Sequence, residues 1–143
     1  MTEEDFIIER RILRIGNMVL ATRDADLKRF GLTTVQSETL LFFDRHAGAL
    51  AADLKDYLSV SHQAARGIVE RMKEKGLLYA VVGDDARGKR TYLTEKGRKL
   101  CSELKKKGSA LGAGLLSGLS DEEKKALYFT LDKIIKNIEE QKT

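Results

Sequence analysis

The sequence predicts a mainly α fold with a single two-stranded β-hairpin. Three observations carry this. Apolar residues recur at helical spacing in six separate stretches, each marking one buried helix face. Two of those helices are short and lie on either side of the break Ser59-Val60-Ser61, the pattern of a helix-turn-helix. Just beyond them Gly76 stops the second helix. Two short runs, 78–82 and 91–93, then flank a glycine-containing basic tip, which reads as a hairpin, or wing. The expected architecture is a winged helix-turn-helix flanked by helices at both ends of the chain.

The first helix covers about residues 3–22. Ile8, Ile12, Ile15 and Val19 form a continuous stripe, widened by Phe6, Leu13 and Met18; such width suits a helix with more than one neighbour. Residues 24–31 read as a polar connector holding Leu27 and Phe30. Thr33, with Gln36 three residues on, is a capping box. The second helix runs from there to about residue 45, with Val35, Leu40, Leu41, Phe42 and Phe43 as expected core. His46-Ala47-Gly48 breaks it. The third helix has apolar residues at 50, 51, 54, 57 and 58. Ser61 is a good N-cap for the fourth, over 62–75, whose Ala65, Ile68, Val69 and Met72 share one face.

After the hairpin, Thr94 can cap a fifth helix with Gly97, Leu100, Cys101, Leu104 and Gly108 on one side. Gly108, Gly112, Gly114 and Gly118 crowd one stretch, and each costs roughly 1 kcal/mol against alanine inside a helix. The fifth helix is therefore expected to fray, bend or end there. Ser120-Asp121-Glu122-Glu123 is a capping box with an acidic first turn. The sixth helix follows to about residue 140, with Leu127, Leu131, Ile134, Ile135 and Ile138 on one stripe.

A length of 143 residues with 42% apolar content suits one globular domain with a real core. The reading is a single domain 1–143, with the winged lobe over 32–97 and helices over 1–31 and 98–143 that join two copies. No apolar run approaches the ~20 residues of a membrane span, and the acidic start Thr2-Glu3-Glu4-Asp5 is unlike a signal peptide. One cysteine, Cys101, forbids an intrachain disulfide and fits a reducing cytoplasm. No nucleophile–base–acid set, P-loop or dinucleotide fingerprint argues for an enzyme. Only His46 and His62 are available for metal, in different elements, so neither a metal site nor a cofactor is expected.

The net charge of +4 permits nucleic-acid binding without showing it, so the arrangement of the cations decides. On the fourth helix Ser61, His62, Gln63 and Arg66 lie near the N-terminus and off the apolar face. Gln can pair with adenine and Arg with guanine in a major groove, while Ser61 and the helix N-terminus can hold a phosphate. Arg71, further along, suits a phosphate or an ion pair with Glu70 or Glu74. A polar outer face can also serve solubility alone. The wing makes double-stranded DNA the stronger reading: Arg87, Lys89 and Arg90 fall within four residues, and Arg suits a narrow minor groove. Asp85 can pair with an arginine to shape the wing. The rival is a winged-helix protein–protein interaction module without sequence-specific DNA binding.

The terminal helices carry more apolar face than the central unit needs. Packed against the same helices of a second copy, they would make a homodimer with two recognition helices on one side, about one DNA turn apart. A monomer with a helical cap is the alternative.

Asp85-Ala86-Arg87-Gly88-Lys89-Arg90-Thr91-Tyr92-Leu93-Thr94-Glu95-Lys96-Gly97 resembles the wing signature of MarR-type winged-helix regulators. The resemblance extends back through Lys75-Gly76-Leu77, Val60-Ser61 and Leu54 to Leu32-Thr33 with Gln36. It implies a homodimer joined through its terminal helices on a pseudo-palindromic operator. It implies a regulator, usually a repressor, released by a small ligand or by oxidation. The recognition helix departs from the family's Thr-x-Thr-Arg run: it reads Ala64, Ala65, Arg66, Gly67, with the arginine displaced by about 100°. The family's oxidation sensors use a cysteine near the N-terminal helix, which is missing here; Cys101 reads as a small buried apolar group. A small aromatic or amphipathic ligand is the expected signal. By resemblance its site lies between the dimer helices and the lobe, with Ile15, Val19, Phe42 and Tyr57 as candidate lining.

Overall fold

The computed structural model describes residues 1–83 and 88–141, without the side chains of residues 108–111. Six α-helices and one antiparallel hairpin follow in the order α1 (Glu3–Leu27), α2 (Thr34–Arg45), α3 (Ala51–Leu58), α4 (His62–Glu74), β1 (Leu78–Val82), β2 (Lys89–Leu93), α5 (Glu95–Leu115) and α6 (Asp121–Gln141). This is the mainly α winged helix-turn-helix that the spacing predicts. Two compact units divide within α5: Met1–Leu104 and Lys105–Thr143. Among the described residues no helix is long and apolar enough to cross a membrane.

In the first unit, α1 begins with a capping box. Thr2 Oγ1 accepts from the Asp5 N–H and the Asp5 carboxylate accepts from the Thr2 N–H, both at 3.0 Å. The helix is longer than its polar sequence suggests. Residues 24–27 are its last turn rather than a connector, because tertiary partners hold them: Thr34 Oγ1 donates to the Asp24 carboxylate and Leu27 is buried. A single 3-10 turn, Lys28–Phe30, then closes at Gly31 with φ 68°, a left-handed conformation that glycine adopts cheaply.

The expected capping box of α2 is complete, Thr33 and Gln36 exchanging side-chain-to-backbone bonds at 3.2 Å. Leu40, Phe42 and Phe43 are buried as expected and Leu41 is half-buried, but Val35 lies exposed in the first turn. Ser37 and Thr39 are buried in its place. Each hydroxyl donates to a carbonyl of its own helix at 2.8 Å, so burying them leaves no polar group unpaired. The core gathers these residues with Leu54 of α3, Ala65, Ile68, Val69 and Met72 of α4, Leu78 and Leu93 of the hairpin, and Cys101 and Leu104 of α5. Gly76, φ 75°, ends α4 as predicted.

The hairpin pairs Leu78 with Leu93 through to Val82 with Lys89, which extends the second strand two residues beyond its sequence signal. α5 continues helically past Gly108, Gly112 and Gly114 to Leu115, and Gly118 turns the chain at φ 85°. In the second unit, α6 starts on its predicted box: the Ser120 and Glu123 side chains and N–H groups exchange bonds at 3.0 and 3.1 Å. α6 buries none of its residues in this chain, and α1 buries only Leu27.

Candidate nucleic-acid interface

The turn between α3 and α4 is set by Ser59, the one non-glycine residue with positive φ among the described residues (57°). The Val60 N–H returns to the Lys55 carbonyl at 3.2 Å. Ser61 Oγ then accepts from the Ala64 N–H at 3.1 Å, the N-cap bond that starts α4. With Ala65, Ile68, Val69 and Met72 buried, His62, Gln63, Arg66 and Arg71 are left on the exposed side. Glu70 pairs with Lys73 at 3.0 Å.

A cleft of about 330 Å³ runs between the start of α3, the exposed side of α4 and the wing, lined among others by His62, Arg66, Glu70, Lys73, Gly88 and Lys89. Three cations against one carboxylate, itself paired with Lys73, leave the cleft positive. It suits an anionic backbone.

The wing is anchored in a way the sequence did not show. Ala49 bridges to Thr91: the Gly48 N–H donates to the Thr91 carbonyl and the Thr91 N–H to the Ala49 carbonyl, at 2.9 and 3.0 Å. The residues between α2 and α3 thus act as a minimal third strand. Arg90 Nη1 donates to the Gly48 carbonyl at 3.1 Å, so this arginine braces the wing's base, whereas Lys89 stands exposed. Of the expected wing residues, Asp85 and Arg87 lie outside the described residues. The signal for the bridge was only His46-Ala47-Gly48, which reads locally as a break.

A second missed device fixes the far end of α4. Lys75 Nζ donates to the Gly31 carbonyl at 2.7 Å and to Gln36 Oε1 at 3.0 Å, tying α4 to the turn ahead of α2. Thr94 Oγ1 donates to the Gly76 carbonyl and accepts from the Gly97 N–H, at 2.6 and 3.0 Å. Gly97 packs so tightly that a Cβ there would lie 2.2 Å from the Leu77 carbonyl oxygen.

The four candidate ligand-lining residues are partly brought together. The Phe42 and Tyr57 rings sit 5.0 Å apart, Phe42 also touching His46 at 4.9 Å. Tyr57 Oη donates to Glu38 at 3.4 Å, and Arg23 of α1 pairs with the same carboxylate at 3.4 Å. Partial burial, then the Glu38 charge, raises the Tyr57 pKa above its ordinary value. Ile15 is exposed on α1 and Val19 half-buried; the cleft beside α4 is lined by none of the four. Among the described residues no three His, Cys, Asp or Glu side chains gather as a metal site would need.

Residues 30–90, from the turn ahead of α2 through the helix-turn-helix to the wing, match the model of the MarR family. Over that segment the chain is similar to the MarR family. At 25% identity over 133 residues it is similar to the HTH-type transcriptional regulator YybA of Bacillus subtilis, itself uncharacterized, covering 92% of this chain and 89% of that one. The transcriptional regulator SlyA superposes with a TM-score of 0.85 at 26% identity, over 94% and 95% of the two chains. The S. aureus MepR–DNA complex has the same fold, with a TM-score of 0.83 at 23% identity over 96% and 99%. The match covers the lobe that carries the cleft, while α1, residues 28 and 29 of the 3-10 turn, the last three residues of β2 and all of α5 and α6 lie outside the matched segment.

Proposed function

We propose that this chain is a sequence-specific DNA-binding transcriptional regulator that works as a homodimer on a pseudo-palindromic operator, represses, and is released by a small-molecule ligand. The observation that carries the DNA reading is the juxtaposition of an exposed polar helix face, His62 to Arg66, with the cation-lined cleft and Lys89 of the wing. A helix of this kind docks in the major groove while the wing reaches along the backbone. That MepR is seen with DNA on the same fold supports it. The homodimer rests on the exposed apolar residues of α1 and α6, Ile8, Ile12, Leu131 and Ile135 among them.

The test is binding of the purified chain to DNA from its own promoter region across a salt series. The expected result is tight binding that weakens steeply with salt. Arg66→Ala and Lys89→Ala should each lower affinity, a phosphate contact reducing the salt slope by about one. Arg90→Ala is a poorer probe, because it also removes the brace to Gly48. A dimer with no salt-sensitive DNA binding would point to protein–protein contact instead.

A further inference from the structure

On α4 the line opposite the buried face runs through positions 63, 67, 70 and 74, by helical spacing. This is the side that a recognition helix turns into the groove. Gly67 stands near its centre, with no side chain of its own, yet is half-buried rather than exposed. The Arg71 guanidinium lies over it: Nη2 and Nη1 are 3.7 and 3.8 Å from the place of a Cβ on residue 67. A helical side chain covers the turn N-terminal to its own Cα, so residue 71 reaches back over residue 67. Glycine is a poor choice for the middle of a helix, and here it leaves room for a guanidinium against the helix surface. Arg66, one step round, lines the cleft towards the wing instead. Glu70, beside Arg71 in sequence, is held by Lys73 at 3.0 Å.

We propose that Arg71 is the specificity-determining arginine of this recognition helix, reading a guanine edge in the major groove, and that Gly67 is the residue that positions it there. The inference rests on the DNA-binding reading above. A guanidinium presents its N–H donors to the two acceptors of guanine in a fixed fork, where an ammonium is a point charge on a flexible stem. Folded back over Gly67, it lies a full turn nearer the base-reading N-terminal end of α4 than its own Cα.

The experiment selects bound sequences from a random DNA pool with the purified 143-residue chain, in wild-type form and as Arg71→Ala, Arg71→Lys, Gly67→Ala and Gly67→Leu, each checked for helix content and melting temperature. The wild type should select a guanine at one position of each half-site. Arg71→Ala should lose that preference by roughly 10- to 100-fold and keep the other positions, and Arg71→Lys should restore it only in part. Gly67→Ala should keep the preference, since its methyl meets the guanidinium at ordinary contact distance. Gly67→Leu should reproduce the loss by displacing Arg71. If Arg71→Ala weakens all sequences alike and lowers the salt slope by about one, Arg71 is a phosphate contact and the inference is overturned. It is overturned too if Arg71→Ala changes nothing, or if Gly67→Ala is as damaging as Gly67→Leu, which would mark close backbone approach as the reason for the glycine. Should Gly67→Leu not fold, the two Arg71 variants and Gly67→Ala still decide. A wild type that binds no DNA in a salt-sensitive manner overturns the regulator reading itself, a distinguishable failure.

Discussion

Gly97 and Thr94 show how single residues lock the lobe. Thr94 joins the end of α4 to the start of α5 through one hydroxyl, and the missing side chain at Gly97 lets α5 touch the Leu77 carbonyl. Gly97→Ala should therefore destabilise the chain by about 1–3 kcal/mol, as overpacking does, read as a lower urea midpoint with unchanged slope. The motif that carries the family resemblance thus has a mechanical meaning at its Thr-x-x-Gly end. Tyr57 offers a pH test. Its raised pKa means that the folded state holds the phenol proton more tightly than the unfolded state. The resulting stabilisation is present below the ordinary tyrosine value of about 10 and is lost as pH rises through the folded value. Denaturant midpoints followed from pH 9 to 11 should fall more steeply for the wild type than for Tyr57→Phe; parallel curves would remove Tyr57 as the cause.

At the scale of elements, α4 is held at both ends by bonds outside its apolar stripe: the Ser61 cap at one, Lys75 on Gly31 and Gln36 at the other. Its direction therefore depends on α2 and on the turn after α1. α5 makes the opposite case. It stays helical through Gly112 and Gly114, and a Cβ at either would meet nothing within 4 Å. Replacing both with alanine should stabilise the helix by about 1 kcal/mol each, visible in the melting temperature. If these glycines let the helix bend during the regulatory response, the same double variant should also alter operator affinity or ligand response. Unchanged values in the folded variant would exclude that role.

For the whole molecule, the weight falls on apolar surface. Phe6, Ile8, Ile12, Ile15 and Met18 on α1 are exposed, as are Tyr128, Phe129, Leu131, Ile135 and Ile138 on α6. Exposed apolar surface of this extent marks an interaction site. Sedimentation should return twice the chain mass of 16.0 kDa for the wild type. Ile12→Asp or Ile135→Asp should shift it towards the monomer and weaken operator binding, because two half-sites are then no longer engaged together. A monomeric wild type would return these helices to the role of a cap.

Periodicity and capping are local, and what depends on them could be read directly: the six helices, the boxes at Thr33 and Ser120, the Ser61 cap, the Gly76 stop and the buried face of α4. What the sequence left open depends on contacts between distant residues. α1 runs to Leu27 because Thr34 and the core hold its last turn; Val35 is exposed because α2 turns Ser37 and Thr39 inward; β2 begins at Lys89 because Val82 pairs with it. The Ala49–Thr91 bridge, the Arg90 brace and the Arg71 guanidinium over Gly67 are of the same kind. By itself, the sequence determined the order of elements and the class of the fold, since each needs only neighbours within a few turns. The tertiary structure alone decided which of the described cations are exposed on α4 and the wing and which hold the wing in place, since hydrogen bonds between residues more than forty positions apart leave no periodic trace.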